Sequence, residues 1–133
     1  MEKINKVYTS AFAEEMLNKI NAEADVMHEF IDLRKRIITA IKQSYSSYRG
    51  YGGGLIQSEK TFVNHVWNSM NALTLEYTDF NIFSAACAMC SVMCDMYYGM
   101  QGFPMVPDVS NYNSSEGIAE LMNKIVAYYN GDY

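Results

Sequence analysis

The sequence predicts an all-α protein, a four-helix bundle-like single domain over residues 1–133. Apolar residues recur at steps of three and four along most of the chain, which is the period of an amphipathic helix. Residues 82–94 contain nothing more polar than serine, and a helix that is apolar on every side belongs at the centre of a bundle. A chain of 133 residues is also long enough to bury a sizeable core.

The first element is predicted as one long amphipathic helix over residues 11–48, with Ser10 as its N-cap. Its predicted core-facing row follows steps of three and four residues and consists of Phe12, Met16, Ile20, Ala24, Met27, Ile31, Arg34, Ile38, Ile41, Tyr45 and Tyr48. Arg34 is the charged member, so we expect it either to end the row or to mark a polar point within it. A helix of this length usually packs against a partner outside its own domain, which predicts homo-oligomerisation.

A glycine-rich connector at residues 50–54 is expected to end the long helix. Three further helices are predicted, at 59–73, 79–99 and 115–129. The last of them has Ser114 or Ser115 as its N-cap and Gly131 just beyond its end. The helix at 79–99 is the central apolar one, and its apolar run is shorter than the roughly 20 residues that a membrane-spanning helix needs.

The chain is acidic, with a net charge of −5, but its charges are unevenly placed. Residues 1–33 carry seven acidic and three basic side chains, 34–60 carry six basic ones against Glu59, and 61–133 carry seven acidic ones against Lys124. The phosphate backbone repels such a protein, so nucleic acid is not an expected partner. There is no secretory or lipidation signal, and the cysteines are odd in number and clustered, so a cytoplasmic location is expected.

Cys87, Cys90 and Cys94 form the sharpest cluster of potential ligands. Their spacing places all three thiols on one face of a helix, where thiolates could hold a soft metal ion. No fourth cysteine is present, however, and free cysteine is commonly a small buried apolar residue. We therefore expect no metal and no cofactor, with the three thiols acting as core filler.

A predicted ligand patch lies where the long helix meets the glycine-rich connector. Its members are Arg34, Lys42, Tyr45, Tyr48, Arg49 and Tyr51. Arginine, aromatic rings and open backbone N–H groups together suit a phosphate or a nucleotide. The connector is not a Walker loop, because no Gly-Lys-Ser/Thr closes it. The alternative interpretation is a solvated helix end with a flexible connector.

No catalytic motif is present, so the protein is not expected to be an enzyme. His65 is expected to be a structural residue, because it lies among apolar positions of its helix. Ten methionines and eleven tyrosines suit adaptable contact surfaces. The sequence predicts a non-enzymatic interaction or assembly module that binds another protein or itself, away from membranes. Small acidic helical proteins of this kind occur in phages and mobile elements, as virion components or inhibitors of host defence. The alternative function is a small-ligand sponge that captures an anionic nucleotide at the predicted ligand patch.

Overall fold

The computed structural model describes residues 2–49, 59–99 and 114–133, with side chains left undescribed at 44–49, 59, 61 and 93–99. All regular structure in these ranges is helical, which confirms the all-α class. The helices are α1 (Ser10–Ala22), α2 (Ala24–Arg49), α3 (Glu59–Ala72), α4 (Asp79–Gly99) and α5 (Ser115–Asn130). The predicted connector at 50–54 lies outside the described residues.

The single long helix predicted over 11–48 is wrong, because the chain breaks at Glu23 into α1 and α2. Glu23 has extended backbone angles, φ −120° and ψ 112°. Its N–H closes α1 on the carbonyl of Lys19 at 3.0 Å, and its own carbonyl accepts the N–H of Met27 at 2.9 Å. One unbroken helix of that length would extend about 57 Å. The break lets α1 contact α2, α4 and α5, so the apolar residues of both helices enter one core.

The apolar row predicted along α2 is also displaced. Of the described side chains of α2, the buried ones are Phe30, Leu33, Ile37 and Ile41, and of these only Ile41 belongs to the predicted row. The predicted positions Ile31, Arg34 and Ile38 keep partial exposure or more. Since each helical residue advances by about 100°, these form a second row about a quarter of a turn from the buried one. α2 therefore has one apolar row in the core and another along the edge of its contact with α4.

α4 contacts each of the other four helices. Of residues 82–92, those that keep partial exposure are Cys87, Cys90 and Ser91, and the rest are buried. These three lie on one side of the helix, at positions i, i+3 and i+4. None of the described helices combines the length and the apolar character that crossing a membrane requires.

The caps of α1 and α5 follow from local hydrogen bonding. α5 begins after Ser114, whose hydroxyl accepts the N–H of Gly117, and ends at Gly131 in the left-handed conformation with φ 77°. For α1 the predicted cap Ser10 is wrong by one residue. Thr9 has the extended angles of a cap and accepts the N–H of Phe12 at 3.2 Å, so Ser10 is the first helical residue.

Candidate functional site

A cleft of about 390 Å³ opens between α1, α2, α4 and the first turn of α5, and we call it the Arg34 cleft. Its apolar lining includes Leu17, Met27, Ile31 and Ile118, and its polar lining comprises Asn21, Arg34, Cys87, Cys90 and Ser91. Helical spacing explains why these residues of α2 and of α4 face the same cleft. Met27, Ile31 and Arg34 follow the second row of α2, and the α4 residues are those that keep partial exposure.

Arg34 anchors the polar side of the cleft. Its Nη1 donates a hydrogen bond of 2.6 Å to Ser91 Oγ, which in turn donates to the carbonyl of Cys87 at 3.2 Å. The guanidinium carbon also lies 5.9 Å from the centre of the Phe30 ring, within the range of a cation–π contact. Arg34 thus marks a polar point inside an otherwise apolar helix contact, one of the two outcomes that its position predicted.

The neighbours of Arg34 in sequence take no part in this cleft. Lys35 and Arg36 are exposed and line a different depression of about 290 Å³, together with Asp32 of α2 and Leu73, the residue that follows α3. Consecutive residues on a helix point about 100° apart, so the three basic side chains cannot converge on one ligand.

The predicted ligand patch is described in part. Arg34 is engaged with α4, whereas Lys42 is exposed eight residues further along α2 and does not line the Arg34 cleft. The side chains of Tyr45, Tyr48 and Arg49 lie outside the described part of the helix, and Tyr51 lies outside the described residues altogether. The patch therefore stays a prediction.

The thiol of Cys87 is a poor nucleophile in this setting. Burial raises its pKa to about 12, the neighbouring Cys90 adds to the increase, and the charge of Arg34 opposes it. Because the thiolate is the reactive form, Cys87 is an unreactive apolar group at neutral pH. Among the described residues no three His, Cys, Asp or Glu side chains are grouped to hold a metal ion. The side chain of Cys94 lies outside that description.

Sequence reasoning missed the partnership between Arg34 and Ser91, and with it the cleft. A signal was present, because a charged residue in an apolar row needs a hydrogen-bonding partner on the facing element. Ser84 and Ser91 of α4 both offered one. The packing of α2 against α4 decides which serine bonds to Arg34. Ser84 is fully buried and donates to the carbonyl of Phe80, whereas Ser91 accepts from Arg34.

Comparison of the chain with protein-family models, curated proteins and solved structures finds no match. The Arg34 cleft offers aliphatic and thioether side chains around one guanidinium, in a depression formed by four helices.

Proposed function

We propose that the protein is a non-enzymatic interaction module, and that another protein binds in the Arg34 cleft. The observation that supports this most is the second apolar row of α2. Ile31 is 38% exposed in this row although the same helix already buries the row from Phe30 to Ile41. Apolar side chains around an arginine are typical of the energetic centre of protein interfaces.

The chemistry of the cleft supports binding better than catalysis. None of the described residues that line it is a carboxylate or an imidazole, so the usual general acids and bases are missing from that lining. The Cys87 thiol is held in its protonated form. His65 is buried on α3, where burial lowers its pKa, and it does not line the cleft.

The partner is an apolar segment that carries a carboxylate. A guanidinium has five N–H donors, and one of those on Arg34 is bonded to Ser91 among the described residues. A carboxylate can accept two parallel hydrogen bonds from such a group. Leu17, Met27 and Ile118 would then cover the apolar part of the same segment. Self-association is one form of this function, since acidic residues outnumber basic ones in a second copy of the chain.

The experiment compares two aspartate substitutions at exposed apolar residues. Tagged wild-type protein, Ile31→Asp and Ala72→Asp are purified from the cells that naturally make the protein, and co-purifying proteins are identified by mass spectrometry. Ala72 is the matched control because it is exposed at the end of α3, a helix that does not line the cleft. We expect Ile31→Asp to lose the captured partner and Ala72→Asp to keep it. Equal capture by both variants would overturn the proposal.

Light scattering distinguishes a second copy from a different protein. If the partner is a second copy, wild-type protein has twice the monomer mass and Ile31→Asp has the monomer mass.

A further inference from the structure

Residues 2–9, which we call the arm, run along α5 and are held there by two asparagines. Asn130 accepts the N–H of Ile4 at 2.8 Å through its Oδ1 and donates to the carbonyl of the same residue at 3.0 Å through its Nδ2. Asn123 does the same for Tyr8, at 2.8 Å and 2.9 Å. Each amide therefore binds both main-chain groups of one arm residue, and we call this pair the asparagine clamp.

The spacing of the clamp fits an extended peptide. Asn123 and Asn130 are seven residues apart, almost two helical turns, so they lie on one face of α5 about 10.5 Å apart along its axis. The arm covers that distance in the four residues from Ile4 to Tyr8. This is a rise of about 2.6 Å per residue, well above the 1.5 Å of a helix and approaching the 3.3 Å of a strand. The arm and α5 therefore run in opposite directions.

The clamp binds main-chain groups of the arm, and Asp79 at the start of α4 binds two of its side chains. Lys6 Nζ lies 2.9 Å from both carboxylate oxygens of Asp79, and the Tyr8 hydroxyl donates to the same group at 2.8 Å. The Tyr8 ring packs on Phe12 with ring centres 5.4 Å apart. Burial alone would raise the pKa of Asp79, but the hydrogen bonds from Lys6 and Tyr8 and the charge of Lys6 outweigh it, so the pKa lies below its usual value. These contacts fit a lysine two residues before a tyrosine.

Most of the arm is held with little apolar burial, and Tyr8 is the exception. Tyr8 is 5% exposed and belongs to the core, Ile4 is half-buried, and the other described members are exposed. A groove of about 620 Å³ remains between the arm and α5, next to Val126 and Ala127. The Lys6–Asp79 pair is exposed and competes with water, whereas the hydrogen bonds of the clamp and of the Tyr8 hydroxyl are partly buried. A segment that displaces the arm must therefore replace the buried tyrosine and the clamped main-chain groups.

We propose that the asparagine clamp and Asp79 form a second binding site, separate from the Arg34 cleft, for an extended segment of a partner protein with lysine two residues before tyrosine. The arm is the built-in competitor for this site. It occupies the site at the high effective concentration of an attached segment, so an external segment binds weakly until the arm is released.

The experiment uses a fluorescent peptide with the sequence of residues 2–9 and the full chain, followed by fluorescence anisotropy. In the protein, Ile4→Pro removes the N–H that Asn130 accepts and leaves the clamp intact. We expect saturable peptide binding to Ile4→Pro, about tenfold tighter than to wild type, because the attached competitor is weakened. Lys6→Gln instead weakens the contact of the arm with Asp79 and should also make the peptide bind more tightly than it does to wild type. Agreement between the two variants excludes a folding defect in one of them as the cause.

A peptide N-methylated at its tyrosine is the matched control, because this change leaves the attached arm unaltered. It cannot donate its main-chain N–H to Asn123 and should bind about tenfold more weakly. A peptide with phenylalanine in place of tyrosine should also bind more weakly, because it cannot donate to Asp79. No saturable binding to either arm variant, or equal binding of the methylated and unmethylated peptides, overturns the proposal. A dimer of Ile4→Pro that excludes the peptide would assign the site to a second copy and overturn it as well.

Discussion

The hydrogen bond between Arg34 and Ser91 is the contact on which the Arg34 cleft depends, and a double-mutant cycle measures it. Arg34→Met removes the guanidinium but keeps an unbranched apolar side chain against Phe30, and Ser91→Ala removes the acceptor. A hydrogen bond to a charged group contributes about 1.5–3 kcal/mol. Arg34 is half-buried, so water competes for its donors, and we expect a coupling free energy of about 1–2 kcal/mol.

The assay is urea unfolding followed by the fluorescence of Trp67, the single tryptophan of the chain. Its ring lies 5.6 Å from that of Tyr128, so its signal reports on the contact between α3 and α5 and thus on global unfolding. The control cycle pairs Lys35→Met with Ser91→Ala, because Lys35 is exposed on another side of α2. The control should couple by no more than about 0.3–0.5 kcal/mol, as independent sites do. A coupling that small for Arg34 itself would refute the account of the cleft.

Three other predictions follow from buried groups and from the alternative function. Burial lowers the pKa of His65, so its contribution to stability is present above about pH 6.5 and is lost as the pH falls below that value. The urea midpoint should therefore drop on acidification, less so in His65→Gln, whereas His28→Gln at an exposed site should keep the full drop. In a variant with Cys87 as its only cysteine, burial still raises the pKa although Cys90 no longer adds to it, so thiol labelling near neutral pH should be far slower than for an ordinary thiol, and rapid labelling would contradict the raised pKa. We expect no saturable thermal shift with nucleotides, and a shift that Arg49→Ala abolishes would favour the nucleotide sponge instead.

The helices themselves were predictable, because apolar periodicity and capping residues are local properties. The predicted range 79–99 matches α4, and the ranges for α3 and α5 differ from the structure by one residue. The break at Glu23 was not predictable in this way. Neither glycine nor proline occurs near it, and the apolar steps continue through Ala24 as they would in one helix. The break is favoured by the packing of α1 against α5, which is a tertiary effect.

The functional surfaces depend even more on tertiary structure. α2 has two apolar rows, and periodicity alone cannot tell which of them enters the core. The prediction chose the row through Ile31 and Arg34, and the structure buries the row through Phe30 and Ile37. The asparagine clamp joins residues more than a hundred positions apart in sequence. Asparagines at i and i+7 indicate only a shared helix face, and nothing local to them specifies a peptide as their ligand.

Photo-crosslinking from inside the Arg34 cleft tests the proposed interaction function most directly. A photo-reactive amino acid is placed at Ile31, or at Ala72 for comparison, and the protein is irradiated in the cells that make it. We predict one discrete crosslinked product from position 31, its loss when Arg34→Met is added, and no such product from position 72. A partner that still co-purifies but crosslinks from position 72 and not from position 31 would contradict this function.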